Sequence, residues 1–435
     1  MGAEDESNAV FSALVDYEDP YVQPLILSTL KSSLPSASYA LIDSISEKAS
    51  TPGPILQFRS YEAIDFELAL EKDDCLINAY VIRKALIRKH YLSTTIANWV
   101  VKHPDSVLKK HFRPAVDFEL DYAEFLDDAL VEAFELRESF EKNADLEPRD
   151  REWWILKPGM SDRGQGIRLF STEKELQSIF EEWEVDEQPD DEDKEAQDSA
   201  IDTIPGLDIS EKTKKSDYVI TSQLRHFIAQ PYIHPPLLLP SSENRKFHIR
   251  TYVLAVGALQ VYVYKPMLAL FATEPYAPPW EDTDLKAHLT NTCLQETGER
   301  EGSVRLFWEL EDAMPDSALL KESWKEDVFS QICAITGEVF EAASRGMMVH
   351  FQTLPNAFEL FGLDFMVDKH GTSYLLEVNA FPDFKQTGDD LKQIIEDLFA
   401  DVVEVAIKPF FAIEGGKPQG TATMHSVLDI DLGRR

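Results

Sequence analysis

FGLDFMVD at residues 361–368 and SYLLEVNA at residues 373–380 read as the two strands of a hairpin, with Lys369 to Thr372 as its turn. A four-residue connection sets Asp368 against Ser373, and counting back sets Asp364 against Glu377. On the other face Phe365 then meets Leu376, Leu363 meets Val378 and Val367 meets Tyr374, which makes that side wholly apolar. The polar side carries Asp364, Glu377 and, two residues on, Asn379, with Gly362 leaving space beside it. Facing side chains in such a pair hold their Cβ atoms about 5 Å apart. Two full negative charges at that separation repel by about 3 kcal/mol at an effective dielectric of about 20. A cation removes that cost. The oxygen donors of Asp364, Glu377 and Asn379 suit Mg²⁺, completed by water and substrate phosphates.

The opposite charge comes from two other segments. In KFHIRTYVL (246–254), period-two alternation puts Lys246, His248 and Arg250 on one face and Phe247, Ile249 and Thr251 on the other. A turn near Gly257 is expected to return Lys265 to the face of Arg250. In WWILKPGMSDRGQGIRLF (153–170), an apolar strand delivers Lys157 to a loop carrying Gly159, Gly164 and Gly166. Backbone amides of such a loop approach phosphate oxygens, and the lysine adds a fixed charge. The lysine precedes the glycines and no Gly-Lys-Ser/Thr follows, so this is not a Walker A loop. A solvated acidic face, a snorkelling basic strand or a plain hairpin explains each segment alone. Together they describe a site for a polyanion and a divalent metal.

The rest of the chain narrows the class. Its 435 residues carry a formal charge of -36, with 44% hydrophobic and 11% aromatic residues. That composition gives a globular chain with room for two or three domains. The acidity makes nucleic acid and anionic membranes poor partners. Cys75, Cys293 and Cys333 lack metal-ligand spacing and fit a reducing compartment. MGAEDESNAVF has no secretory pattern, Glu6 stands where myristoylation wants Ser or Thr, and the apolar stretch 251–264 is too short for a bilayer. A cytoplasmic location is expected.

Mixed strands and helices indicate an α+β (mixed α/β) protein. A smaller N-terminal α/β domain is expected over 1–95, a central domain over 96–245, a C-terminal domain over 246–412 and a flexible tail over 413–435. Apolar spacing predicts an amphipathic helix over 118–140 and another over 173–183. A disordered acidic insertion is expected over about 184–217.

The order of glycine loop, basic strand and carboxylate hairpin resembles the ATP-grasp superfamily, and the wording resembles its tubulin–tyrosine ligase branch. That family's Lys-Pro glycine loop ending Gly-x-Gly-Ile is matched by Lys157 to Ile167, and its Lys-Phe-Asp-Ile-Arg strand, except at one position, by Lys246 to Arg250. His-Leu-Thr-Asn is matched at 288–291, after Glu-Pro-Tyr at 274–276, and Asp-Phe-Met-Val-Asp with Glu-Val-Asn at 364–368 and 377–379. The resemblance spans roughly residues 75 to 410. It implies an ATP-grasp fold of two subdomains and an ATP-dependent ligase that joins a free amino acid to a protein or peptide carboxylate. A tubulin tail is one candidate acceptor.

By the same resemblance, Lys157 and Lys246 would contact ATP phosphates, and Arg250 the transferred phosphoryl group. Gln230 and Tyr232 would line the adenine site. His288, Thr290 and Asn291 would contact nucleotide or intermediate, and Lys84 the phosphates or substrate. Asp364, Glu377 and Asn379 would hold Mg²⁺. Catalysis would rest on Arg250, Lys246, Asn291 and Glu377. Two positions depart from the pattern: His248 replaces an aspartate, and Leu270 stands where an arginine usually completes the clamp. Lys265 or Arg163 is available as a replacement cation. The alternatives are a nucleotide-binding interaction scaffold without catalysis and a ligase that adds glutamate or glycine or acts on a small molecule.

Overall fold

The computed structural model describes residues 9–45, 53–158, 166–186, 225–290, 303–312, 323–384 and 391–432. Of the acidic insertion expected over about 184–217, residues 184–186 end the helix Glu173–Asp186 and the rest lies outside the described residues, as do Arg163 and Asn291. The first sheet is parallel and is built from β1 (Phe11–Asp16), β2 (Tyr39–Leu41), β3 (Ile55–Arg59) and β4 (Cys75–Ile77), in the order β2-β1-β3-β4. The second is antiparallel, with β5 (Val116–Glu119), β6 (Trp154–Pro158), β7 (Arg168–Phe170) and β8 (His226–Pro231) in the order β5-β8-β6-β7.

The third sheet has seven strands: β9 (Arg245–Val256), β10 (Gln260–Tyr264), β11 (Leu268–Pro275), β12 (Val304–Leu306), β13 (Phe358–Val367), β14 (Ser373–Ala380) and β15 (Met424–Asp429). β9 is its spine. One edge pairs with β11 along its first half and with β10 along its second, while the other edge pairs with β13. Gly257, at φ +62, opens the turn into β10, a backbone region that only glycine enters at little cost.

Alternation along β9 decides what each face of the sheet does. Phe247, Ile249, Val253 and Ala255 enter one core, roofed by the helix Trp324–Gly346. Tyr252 and Leu254 enter a second core with the helix Lys392–Val402. Lys246, His248 and Arg250 share that second face but line a cavity instead.

Several expectations need correction. The parallel sheet does not keep a core of its own: Ile55, Cys75 and Ile77 pack in the first large core, and Phe11, Leu56 and Phe58 in the second. The boundary at residue 95 falls inside the helix Lys89–Lys102, which packs on that first core. The segment 118–140 is not one helix. It holds the end of β5 and two short helices, Leu126–Glu132 and Phe134–Asn143, broken at Ala133. The tail from 413 contributes β15, which pairs with β10 along the edge of the large sheet. Its strand-forming residues at 424–429 have a ladder to join, which local polarity does not reveal. Among the described residues no helix is long and apolar enough to cross a membrane.

The carboxylate hairpin also departs in register. Asp364 does face Glu377, and Leu363 faces Val378, but Phe365 faces Leu375 and Val367 faces Ser373. The turn is one residue longer than expected, because Asp368 leaves the ladder and accepts from the amides of His370 and Thr372. A β-bulge at Leu376 absorbs the extra residue. Two departures cancel, and the carboxylates still meet.

Candidate active site

A cavity of about 840 Å³ lies between the second and third sheets. Its walls come from β6 and β8, from β9, β13 and β14, and from the start of the helix Lys89–Lys102. Apolar side chains on both sheets, among them Ile155, Ile228, Met366 and Leu376, line it beside the charged groups. The bulge explains Leu376: it turns Leu375 into the core and leaves Leu376 and Glu377 both on the cavity side.

Two lysines meet there, and among the described residues no carboxylate is bonded to either. Lys157 Nζ donates to Gln230 Oε1 at 3.0 Å. Lys246 Nζ sits 4.0 Å from the centre of the Tyr232 ring. Burial, then the charge of Lys89, lowers the Lys157 ammonium to about 8. Burial, then the charge of Lys157, lowers Lys246 to about 7. Two crowded ammonium groups with neutral partners favour an anion between them.

The carboxylates are held by cations and by one amide. Arg250 donates from Nε to Asp364 Oδ1 at 2.5 Å and from its terminal nitrogen to Oδ2 at 3.0 Å. Lys89 Nζ lies 2.6 Å from Glu377 Oε2 and keeps the Glu377 carboxyl well below its ordinary range. The Asn379 amide donates to Asp364 Oδ2 at 3.3 Å and to Glu377 Oε1 at 3.2 Å, tying the two acids together. Among the described residues no three His, Cys, Asp or Glu side chains form a metal cage. Two carboxylates bridged by one amide are instead a partial oxygen set. It fits a hard cation that takes its remaining ligands from phosphate and water.

Neutral polar groups orient the rest. His288 donates from Nε2 to the Asp282 carbonyl at 2.8 Å, so its Nδ1 accepts from the Tyr232 hydroxyl at 2.7 Å. The buried His248 pairs Nδ1 with the Thr290 hydroxyl at 2.6 Å, and burial lowers its pKa, which keeps the ring neutral. Its Nε2 stands 3.6 Å from Asp364. Leu270 is directly cross-strand from His248 and is buried among apolar side chains, so no cation enters the site there.

Of the residues singled out in the sequence, Lys157, Gln230, Tyr232, Lys246, Arg250, His288, Thr290, Asp364, Glu377 and Asn379 all line this cavity. Lys84 does not: it is exposed at the start of the helix Lys84–Ile87. Lys265 also stays away. The β9–β10 register puts it level with Thr251, on the opposite face from Arg250, and its ammonium lies over Trp308. Asn291 is outside the described residues. Lys89 was missed. Arg88, extended at φ -102 and ψ 120, separates a one-turn helix, Lys84–Ile87, from the longer helix Lys89–Lys102 and turns Lys89 rather than Lys84 into the cavity. Helical spacing across the whole basic segment hides that break.

Comparison with known proteins agrees with this architecture. The tubulin-tyrosine ligase family model matches residues 87–413. A probable tubulin–tyrosine ligase of Schizosaccharomyces pombe is 45% identical over 399 residues, covering 91% of each chain. A probable tubulin–tyrosine ligase of Saccharomyces cerevisiae, PBY1, is 46% identical over 385 residues. That match covers 87% of this chain and 49% of the yeast protein. The crystal structure of the C-terminal domain of K. lactis Pby1, described as an ATP-grasp enzyme, superimposes with a TM-score of 0.70 at 36% identity, covering 97% of this chain and 99% of that one. The fold is therefore ATP-grasp, and the chain belongs to the tubulin–tyrosine ligase family.

Proposed function

We propose that the protein is a Mg-ATP-dependent carboxylate–amine ligase that joins an amino acid to a protein or peptide carboxylate. The observation that carries this reading is the facing of half-buried Lys157 and buried Lys246, neither bonded to a carboxylate among the described residues, with the amide-bridged pair Asp364 and Glu377 across one cavity. Cations on one side and oxygen donors on the other suit a metal–polyphosphate ligand and little else. Asp364, Glu377 and Asn379 would hold the magnesium ion, which would neutralise phosphate oxygens as charge moves onto them. Lys157 and Lys246 would bind the phosphates, and Gln230 and Tyr232 would border the adenine.

The acceptor carboxylate oxygen bonds to the γ-phosphorus while the bond to the β-phosphate oxygen breaks, which releases ADP. The incoming amine then attacks the acyl carbon, phosphate leaves with the bonding electron pair, and the amine loses a proton. Arg250 stands beside the acids, where charge on the transferred group would develop. Thr290 and His248 would hold the polar floor in one tautomer. Tubulin as the acceptor draws support from the names of the family and of the yeast relatives.

A scaffold reading draws on Leu270, which brings no charge to the cavity floor, and on K. lactis Pby1, described as interacting with the mRNA decapping enzyme Dcp2. ADP release with Mg-ATP, a tubulin-tail peptide and tyrosine separates the two. Release that requires both acceptors and disappears in Glu377→Gln supports the ligase. Nucleotide binding without turnover across varied acceptors and amino acids overturns it in favour of the scaffold.

A further inference from the structure

We infer that Lys89 stands in for the divalent cation at Glu377 and hands that carboxylate over when a metal–nucleotide complex enters. The inference rests on the nucleotide and metal reading above and assigns a role to a residue outside the motifs that led to it.

Both oxygens of Glu377 already have donors. Oε2 lies 2.6 Å from the Lys89 ammonium, and Oε1 accepts from Asn379. A metal that takes Oε2 at the place the ammonium now holds has to displace Lys89. The other acid differs. Arg250 grips Asp364 with two hydrogen bonds, and the side chains are only 8% and 6% exposed on neighbouring strands. Among the described residues Lys89 makes one ion pair, from the first turn of a helix, and that pair is 35% and 27% exposed. A single, half-solvated contact on a four-carbon stem is inexpensive to break, whereas a buried fork is not.

A released Lys89 has somewhere to go. It lines the same cavity as Lys157, near enough for its charge to act on that lysine. Two ammonium groups side by side favour a polyanion. The phosphates that bring the metal therefore also give Lys89 its new partner. Free metal must evict Lys89 without compensation and binds weakly. Metal on a nucleotide compensates it and binds well. Lys89 thus couples the two ligands positively, and the coupling is reciprocal.

The test is a Mn²⁺ titration of the full chain followed by electron paramagnetic resonance, for wild type, Lys89→Met and Lys89→Arg, with and without a non-hydrolysable ATP analogue. Without nucleotide, Lys89→Met is expected to bind Mn²⁺ about tenfold more tightly than wild type, a factor equivalent to 1.4 kcal/mol. Lys89→Arg should stay weak, which separates the charge from a general loosening of the fold. Adding the analogue should tighten Mn²⁺ binding more in wild type than in Lys89→Met. Equal free-Mn²⁺ affinity in wild type and Lys89→Met, or no Mn²⁺ binding by either, overturns the inference while leaving analogue binding to speak for the nucleotide reading. Failure of wild type to bind the analogue removes that reading, and the handover falls with it.

Discussion

Arg250 on β9 and Asp364 on β13 are direct register partners, and the guanidinium holds both carboxylate oxygens, at 2.5 and 3.0 Å. Both side chains are almost wholly buried. Removing one leaves the other charged in a place water hardly reaches. Arg250→Met should therefore lower stability by about 3–5 kcal/mol in urea unfolding. Adding Asp364→Asn to that variant should restore most of the loss, because the stranded charge is gone. A double variant as unstable as the sum of the singles would mean the pair is not a coupled unit.

The lysine pair predicts how binding responds to pH. Lys246 and Lys157 are lowered to about 7 and about 8 in the free protein, burial being the main cause for each. Phosphate between them stabilises the charged forms, so binding raises both pKa values and takes up protons. Nucleotide affinity should hold below pH 7 and weaken as pH rises from 7 to 9, while the free lysines lose protons that the complex keeps. Calorimetry at pH 8 in buffers of different ionisation enthalpy should show net proton uptake. Proton release, or an affinity that strengthens towards pH 9, would contradict the assignment of these lysines to the phosphates.

Gly362 predicts a separation of function from folding. A Cβ built there would lie 2.9 Å from Pro382 Cβ and 3.3 Å from Arg250 Cδ. The added methyl must push the segment after β14 or the stem of Arg250. Gly362→Ala should cost about 1–3 kcal/mol in thermal or urea unfolding, in the range of overpacked sites. ADP release, measured where the variant is still fully folded, should fall further than that loss explains, since the displaced atoms belong to the cavity wall.

Period-two patterning made the site legible wherever a strand alternates without interruption. Lys246, His248 and Arg250 emerge on one face of β9 because Phe247 and Ile249 occupy the other, and nothing in 245–256 breaks the pleat. The Asp364–Glu377 pairing was legible for a weaker reason. A turn one residue longer and a bulge one residue wide offset each other. Lys89 was not legible, because its direction depends on a backbone break at Arg88 between two helices. β15 was hidden for a related reason. An edge strand in which Met424 alone is buried and the other five residues are half-buried or exposed carries little apolar signal until its partner β10 is known.

The bulge itself supplies the last prediction, because it reverses the roles of two adjacent leucines. Unbroken alternation would put Leu376 in the core and Leu375 in the cavity. In the structure Leu375 is 1% exposed within the large core, whereas Leu376 lines the cavity and offers its carbonyl to Gln230 at 3.4 Å. Leu375→Ala should cost about 2–5 kcal/mol, as a truncated core leucine does. Nucleotide affinity in the fraction that remains folded should be nearly unchanged. Leu376→Ala should show the opposite profile. Its unfolding midpoint should shift little, because the side chain borders open space, while nucleotide affinity drops through lost apolar contact. Paired urea unfolding and nucleotide titration of the two variants decide it. If Leu376→Ala is the destabilised one, the strand runs in plain alternation and the bulge at Leu376 is overturned.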